Sequence, residues 1–223
     1  SKSGNQTKSI PEQFLESLTT IVGPSLFHEI EKTFVERTTT FRVNTLKEKK
    51  QEVMEALDQQ GFKTRQVPWY HDAFILLNKT KRELTDTEIY KAGKIYIQSL
   101  ASMVPPLVLD PKPGEKVLDL TAAPGSKTSQ MAALMHGEGQ LIANDNNKVR
   151  FFKLKHNMEM LGVVGERTSW DFTLRMEHGA GLPREYPDYF DKILLDAPCS
   201  AEARFVVDEP KTYGYWKEQK IKE

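Results

Sequence analysis

From Gly114 onward the sequence alternates between short apolar strands and longer helical patterns, and this alternation restricts the fold more than any other feature. Lys116 to Leu120 predicts a buried strand, Lys127 to Met135 a helix, Gln140 to Asn144 a strand and Asn147 to Leu161 a second helix. Arg167 to Trp170 and Lys192 to Leu195 predict two further strands. Residues 172–190, with Gly179, Gly181, Pro183 and Pro187, read as a loop between them. Strand–helix repetition of this kind specifies a doubly wound, mostly parallel α/β sheet.

The preceding residues follow another pattern. Ser9 is placed to cap a helix that starts near Pro11, Gly23-Pro24 breaks that helix, and Leu26, Ile30 and Phe34 mark a second one. Thr38 to Asn44 reads as a strand and Lys47 to Gln59 as a helix ended by Gly61; Lys63 to Trp69 and Ala73 to Leu77 read as two more strands. This order predicts a small α+β unit. Its charges Arg42, Lys47, Lys49, Lys50, Lys63 and Arg65 form either a solvated surface or an RNA-facing patch. Lys91 to Pro113 reads as a connector broken by Pro105-Pro106. The expected domains are a helical extension over 1–36, the α+β unit over 37–92 and the parallel-sheet domain over 93–223.

Composition excludes several classes. The chain has 223 residues, enough for one large domain or an ordinary domain with a small one. No apolar run approaches the roughly 20 residues needed to span a bilayer, and Ser1 to Gln13 lacks the apolar stretch of a signal peptide. A cytoplasmic protein without membrane contact is expected. The one cysteine, Cys199, excludes an internal disulfide, and with five scattered histidines it makes no zinc site, so no metal is expected. Lys plus Arg equals Asp plus Glu at 31 each, which excludes a strongly basic coat but leaves room for a local basic groove.

The most informative stretch is Val117-Leu-Asp-Leu-Thr-Ala-Ala-Pro-Gly-Ser-Lys-Thr128: a buried strand ending in an acid, a turn of small residues, then a helix. Ala122, Ala123, Gly125 and Ser126 let a ligand approach the backbone, and the helix start offers free N–H groups. The second glycine of a phosphate loop is missing, so the turn suits a nucleoside-like ligand without a triphosphate, or is simply a tight βα loop. Asp145 follows the next strand, where an acid accepts both ribose hydroxyls or caps the next helix. Asp171 and Asp196 are expected at the ends of the third and fourth strands. With Asp119 they make four acids at the carboxyl ends of successive strands, the edge where open sheets bind ligands. Asp196-Ala-Pro-Cys-Ser200 then sets the sole thiol beside a carboxylate that Pro198 helps orient.

Asp119 to Thr128, Asn144-Asp145, Phe190-Asp-Lys-Ile-Leu-Leu-Asp-Ala-Pro-Cys-Ser200, Arg42-Val-Asn-Thr45 and Tyr96-Ile-Gln-Ser-Leu-Ala-Ser-Met103 together resemble the S-adenosylmethionine-dependent RNA cytosine-C5 methyltransferases of the Nol/Nop/Sun type. The resemblance runs from about residue 10 to the end of the chain. It implies a Rossmann-like class I methyltransferase domain preceded by an RNA-recognition-like domain, with structured ribosomal or transfer RNA as partner. S-adenosylmethionine, giving S-adenosylhomocysteine, would lie on Thr121, Ala122, Ala123, Pro124, Gly125, Ser126 and Lys127. Asp145 would hold its ribose and Asp171 would lie near its adenine. Arg150 would belong to the same surroundings, Asp196 would face the methionine end and the target base, and Lys127 would sit between cofactor and base.

The implied chemistry needs these residue types. Cytosine C5 is a poor nucleophile until a thiolate adds to C6 and makes C5 an enamine carbon that attacks a methyl sulfonium. Asp196, helped by Lys127, would stabilise the charge at N3, and the base must leave its stack to reach them. Three departures stand out. Thr121 replaces a common cysteine, Ser126 replaces a common glycine, and no Thr-Cys pair follows Cys199; in addition Ala201-Glu-Ala-Arg204 replaces a glycine-containing segment. Either the chain is truncated before the second, nucleophilic cysteine, leaving Cys199 to assist product release, or Cys199 is itself the nucleophile. Pro210 to Glu223, which reads as a helix stopped midway, favours truncation, and the chain as written is then expected to bind cofactor but methylate RNA poorly. The competing classes are a non-catalytic RNA-binding or assembly module and a methyltransferase with another acceptor.

Overall fold

Pro11 and Gly23-Pro24 punctuate the start of the chain as their backbone restrictions require. Helix α1 (Glu12–Val22) begins after Pro11, and Gly23, at φ +79°, turns the chain into α2 (Pro24–Glu31), whose first residue needs no N–H. Ser9 does not cap α1: the capping position belongs to Pro11, with no side-chain hydrogen bond. The structure, a computed structural model, describes residues 9–165, 168–197, 199 and 201–216. The described residues up to Arg37 and from Cys199 onward form one compact unit, and Thr38–Ala197 form another. The first unit is held by Ile10, Phe14, Phe34, Phe205, Tyr213 and Trp216, with Phe14 edge-on to Phe205 and Trp216. The helix expected over 210–223 begins instead as a 3-10 turn at Pro210–Thr212, and residues 217–223 lie outside the described residues.

The second unit carries two sheets. β1 (Thr40–Val43), α3 (Lys50–Gln59), β2 (Thr64–Val67), β3 (Tyr70–Leu76), α4 (Lys81–Asp86), α5 (Glu88–Lys91) and β4 (Ile95–Ile97) build an antiparallel sheet of order β2-β3-β1-β4. Its last strand lies past the boundary expected at residue 92, inside the stretch read as a connector. Phe41 and Val43 of β1 face α3, where Val53 and Leu57 at helical spacing complete a buried cluster with Phe62, Phe74 and Ile95. The opposite face of this sheet meets α6 (Leu100–Leu109) through Val67, Tyr70, Ala73 and Met103.

α6 contains Pro105-Pro106 and still runs for ten residues. A proline at 106 removes the donor that would satisfy the carbonyl of Ser102. Gln98 Nε2 supplies it at 3.0 Å, and Gln130 Nε2 donates to the carbonyl of Met103 at 2.8 Å.

β5 (Lys116–Asp119), α7 (Ser126–Leu134), β6 (Gly139–Asn144), α8 (Lys148–Met160), β7 (Trp170–Arg175), α9 (Leu182–Glu185) and β8 (Lys192–Leu194) form the parallel sheet, of order β7-β6-β5-β8. Val117, Leu141 and Ala143 point to the side covered by α7 and α8, whereas Leu118 and Ile142 point to the side of Leu182, Tyr186 and Phe190. The sheet is Rossmann-like, and the chain reverses direction across it between β5 and β8. That reversal opens a crevice at the carboxyl ends of those two strands.

Two sequence expectations are corrected here. β7 starts at Trp170 instead of ending there, and Arg167 lies outside the described residues. Arg42 is wholly buried and is no part of a surface patch, whereas Lys47, Lys49, Lys63 and Arg65 are exposed and Lys50 is half-exposed. Among the described residues no helix is long and apolar enough to cross a membrane, and no cluster of His, Cys, Asp or Glu is arranged to hold a metal ion.

Candidate active site

The crevice between β5 and β8 is built by hydrogen bonds that tie the two strand ends together. Leu120 N–H donates to the Leu194 carbonyl at 2.9 Å, and Thr121 Oγ1 donates to the Asp196 carbonyl at 2.7 Å. The turn from Thr121 to Gly125 is then closed from two sides. Ala122 N–H donates to the Asn144 carbonyl and Gly125 N–H to the Ala122 carbonyl, both at 2.8 Å. Gly125 sits at φ +103°, a conformation that calls for glycine, and a Cβ there would lie 2.4 Å from Met158 Cε and displace the end of that side chain.

Asp145 is 2% exposed and both its oxygens are engaged. Oδ1 accepts the Asn147 N–H at 3.0 Å; Oδ2 accepts the Ala123 N–H at 3.2 Å and lies 3.3 Å from Arg150 Nη2. Arg150 also donates to the Ala123 carbonyl at 2.7 Å. Asp145 therefore does what a helix-entry acid does and also clasps the turn. Asn147 is the residue whose side chain caps α8, accepting the Arg150 N–H at 3.0 Å.

Lys127 and Asp196 meet across the crevice, Nζ to Oδ2 at 2.5 Å. The lysine is shielded, with 14% of its side chain exposed, and the carboxylate is open at 54%. Beneath them Asp119 is fully buried and accepts the Thr128 hydroxyl at 2.7 Å. Burial pushes its carboxyl up to about 7, with the charges of Asp196 and Asp145 adding to the rise; the Thr128 hydroxyl and Lys127 oppose it.

Thr121, Ala122, Ala123, Pro124, Gly125, Ser126, Lys127, Asp145, Arg150 and Asp196 thus gather around one strand-end turn. Asp171 does not join them. It is the second residue of β7, paired in register with Gln140 at the amino-terminal end of the sheet, and accepts a hydrogen bond from the Gln140 side chain. The acid at the carboxyl end of β7 is Glu177, which sequence reading missed. Its N–H donates to Asn144 Oδ1 and its carbonyl accepts Asn144 Nδ2, each at 3.0 Å, and its carboxylate lies 2.6 Å from Arg175 Nη2. Cys199 is exposed and belongs to the unit that contains residues up to Arg37. Pro198, expected to orient the carboxylate, lies outside the described residues.

The first turn of α7 is fixed from the antiparallel sheet. Arg42 Nη2 donates to the Ser126 carbonyl at 3.1 Å and to Ser129 Oγ, and Nε donates to Gln98 Oε1 at 2.8 Å. Gln98 Nε2 in turn reaches Gln130 Oε1 at 3.0 Å.

A Rossmann-like sheet with a small-residue turn and strand-end acids at its reversal, joined to a small α+β sheet, is the architecture of class I methyltransferases. The description "16S rRNA methyltransferase RsmB/F" matches residues 106–212, and "N-terminal domain of 16S rRNA methyltransferase RsmF" matches residues 10–100. The chain belongs to the family of ribosomal and transfer RNA cytosine-C5 methyltransferases. It is 39% identical over 162 residues to a tRNA (cytosine(49)-C(5))-methyltransferase of Pyrococcus abyssi, covering 73% of this chain and 50% of that one. It is 35% identical over 220 residues to ribosomal RNA small subunit methyltransferase F of Pectobacterium atrosepticum, covering 96% of this chain and 44% of that one. The crystal structure of a methyltransferase homolog protein from Pyrococcus horikoshii superposes with a TM-score of 0.75 at 34% identity, covering 89% of this chain and 62% of that one. The chain spans about half the length of the curated relatives it matches.

Proposed function

We propose that this chain binds S-adenosylmethionine at the β5–β8 crevice and, in the cytoplasm, serves methyl transfer to C5 of a cytosine in ribosomal or transfer RNA. The observation that carries the reading is the set of charges around one turn: Asp119, Asp145 and Asp196 with Lys127. Carboxylates gathered on a small-residue turn suit a sulfonium cation and neutral ribose hydroxyls and would repel a polyphosphate. The family's chemistry agrees with that donor set. When bound, S-adenosylmethionine supplies a methyl group activated by positively charged sulfur.

The residues then take distinct tasks. Asp145 already accepts backbone N–H groups, and its remaining lone pairs accept ribose hydroxyls. Ala122, Ala123 and Gly125 keep side chains away from the ligand. Lys127 and Asp196 hold a proton against cytosine N3, where charge develops as a thiolate adds to C6. C5 takes the methyl group, a base removes the C5 proton, and the carbon–sulfur bond at C6 breaks. Cys199 is the thiol this chain offers, either as the adding group or as the group that assists elimination.

Calorimetry with S-adenosylhomocysteine tests the cofactor half: binding is expected, and its absence sinks the reading. The acceptor half is tested with 16S rRNA and tRNA transcripts carrying 5-fluorocytosine, which trap the C6 adduct. An adduct lost in Cys199→Ala makes Cys199 the adding thiol. An adduct that forms only after a segment carrying a second cysteine is joined to the chain makes Cys199 the release thiol. Cofactor binding with no adduct on either transcript, even after a second cysteine is supplied, moves the reading to another acceptor.

A further inference from the structure

The charge of this chain is balanced overall, 31 cations against 31 acids, but it is not balanced on α8. That helix carries Lys148, Arg150, Lys153 and Lys155 against Glu159 alone. Leu154 and Met158 turn inward to the core under the parallel sheet. The outward face presents Lys148, Val149, Phe152, Lys153, Lys155 and His156, all exposed, with Phe152 55% and Val149 68% accessible. Lys148, Phe152 and Lys155 recur at i, i+4 and i+7, so they line one strip, and Lys153 flanks the ring on its other side.

Two further observations bear on this face. Some lysines are neutralised by a carboxylate, Lys32 by Glu29, Lys91 by Glu88, Lys94 by Glu48, Lys112 by Asp110 and Lys192 by Glu115, whereas others, such as Lys47, Lys49 and Lys50, have none among the described residues. Among the described residues Lys148, Lys153 and Lys155 have no such partner, so their field is not cancelled locally. The two ends of α8 also lead somewhere. At its start Arg150 touches Asp145 and the Ala123 carbonyl of the strand-end turn. At its end Asn44 Nδ2 donates to the Leu161 carbonyl at 2.8 Å, and Lys47 lies over Gly162, where an added Cβ would be 2.7 Å from Lys47 Cε. The exposed Lys47 and Lys49 and the half-exposed Lys50 follow directly.

We propose that the outward face of α8, continued by Lys47, Lys49 and Lys50, is a track for RNA, with phosphates on the lysines and an unstacked base on Phe152. This extends the function proposed above and rests on it. An exposed aromatic ring among uncancelled cations is the arrangement single-stranded RNA uses: the cations follow the backbone and any base stacks on the ring. A helix of 13 residues spans about 20 Å, so the track joins the edge of the cofactor turn to the antiparallel sheet.

The test is filter binding of the full chain to unmodified 16S rRNA and tRNA transcripts across a salt series. The triple variant Lys148→Glu, Lys153→Glu, Lys155→Glu is expected to bind at least 10-fold more weakly. Its log–log salt slope should be shallower by roughly 2, since each lost phosphate contact removes about 0.7 for a single strand. The milder Lys→Gln triple should show the same slope change, and Phe152→Ala should lose roughly 5- to 100-fold with the slope unchanged. Calorimetry with S-adenosylhomocysteine should give wild-type affinity for all three, which certifies their fold. Wild-type RNA affinity and slope in both triple variants overturn the track and leave the proposed function standing. A parent chain that binds S-adenosylhomocysteine but neither transcript overturns the track and the RNA reading together.

Discussion

Asp119→Asn is the perturbation with the most readable consequence. The carboxyl is fully buried, and burial raises it to about 7 from its ordinary 3.8. A raised acid favours the protonated folded state. Between the two values the folded chain keeps a proton that the unfolded chain has released, so this group's contribution is most favourable below about 4 and declines as pH rises towards about 7. The full decline is about 4 kcal/mol, and about 2.5 kcal/mol of it falls between about pH 5 and about pH 8. Asparagine has the same shape, still accepts the Thr128 hydroxyl and does not titrate. Urea unfolding across that range measures both proteins. The stability of Asp119→Asn relative to wild type should grow by about 2.5 kcal/mol from about pH 5 to about pH 8. Parallel stability curves for the two proteins would refute the reasoning, because they would mean Asp119 titrates alike folded and unfolded.

Gly125→Ala should lower stability by about 1–2 kcal/mol in thermal melts, mainly through its left-handed backbone, since the Met158 side-chain end can shift away from the added Cβ. Asp145→Ala should weaken S-adenosylhomocysteine binding by about 1.5–3 kcal/mol in calorimetry; unchanged affinity would remove Asp145 from the ligand's contacts. Arg42→Met strips donors from Gln98 Oε1 and the Ser126 carbonyl and should cost about 2–4 kcal/mol in urea unfolding. Equal stability there would mean that desolvating the guanidinium cancels what its hydrogen bonds return.

The parallel sheet was legible because its central strands are buried on both faces. Val117-Leu118 and Leu141-Ile142 admit no other reading, and the small residues from Ala122 to Ser126 announce the turn between them. β7 was misread because it is the outer strand of its sheet. Phe172 to Arg175 are all half-exposed, so neither a continuous apolar run nor a clean alternation marks where the strand lies, and Asp171 was put at the wrong end. Glu177 went unseen for the same reason. Arg42 was taken for a surface charge because its residue type argues that way. Its partners Gln98, Ser126 and Ser129 lie 56 to 87 positions further on, and no local pattern reveals them. α6 was discounted for its two prolines, since the amide that relieves the missing donor at Ser102 comes from Gln98, and the helix is further held by Gln130 at the Met103 carbonyl.

Gln98 makes the two sheets of the second unit difficult to inherit separately. One amide side chain receives Arg42 from the first sheet, donates to Gln130 of α7, which packs on the second sheet, and closes the proline gap in α6 between them. Its backbone meanwhile accepts the Thr40 hydroxyl at 2.6 Å. A gene fusion or recombination event that parted the chain near residue 92 would leave β1 with a bare edge, open to pairing with other chains, and a guanidinium with its anchoring amide gone. Tolerated breakpoints are therefore expected to fall outside the stretch from Thr40 to Gln130, so that in lineage as in folding these two sheets travel as one piece.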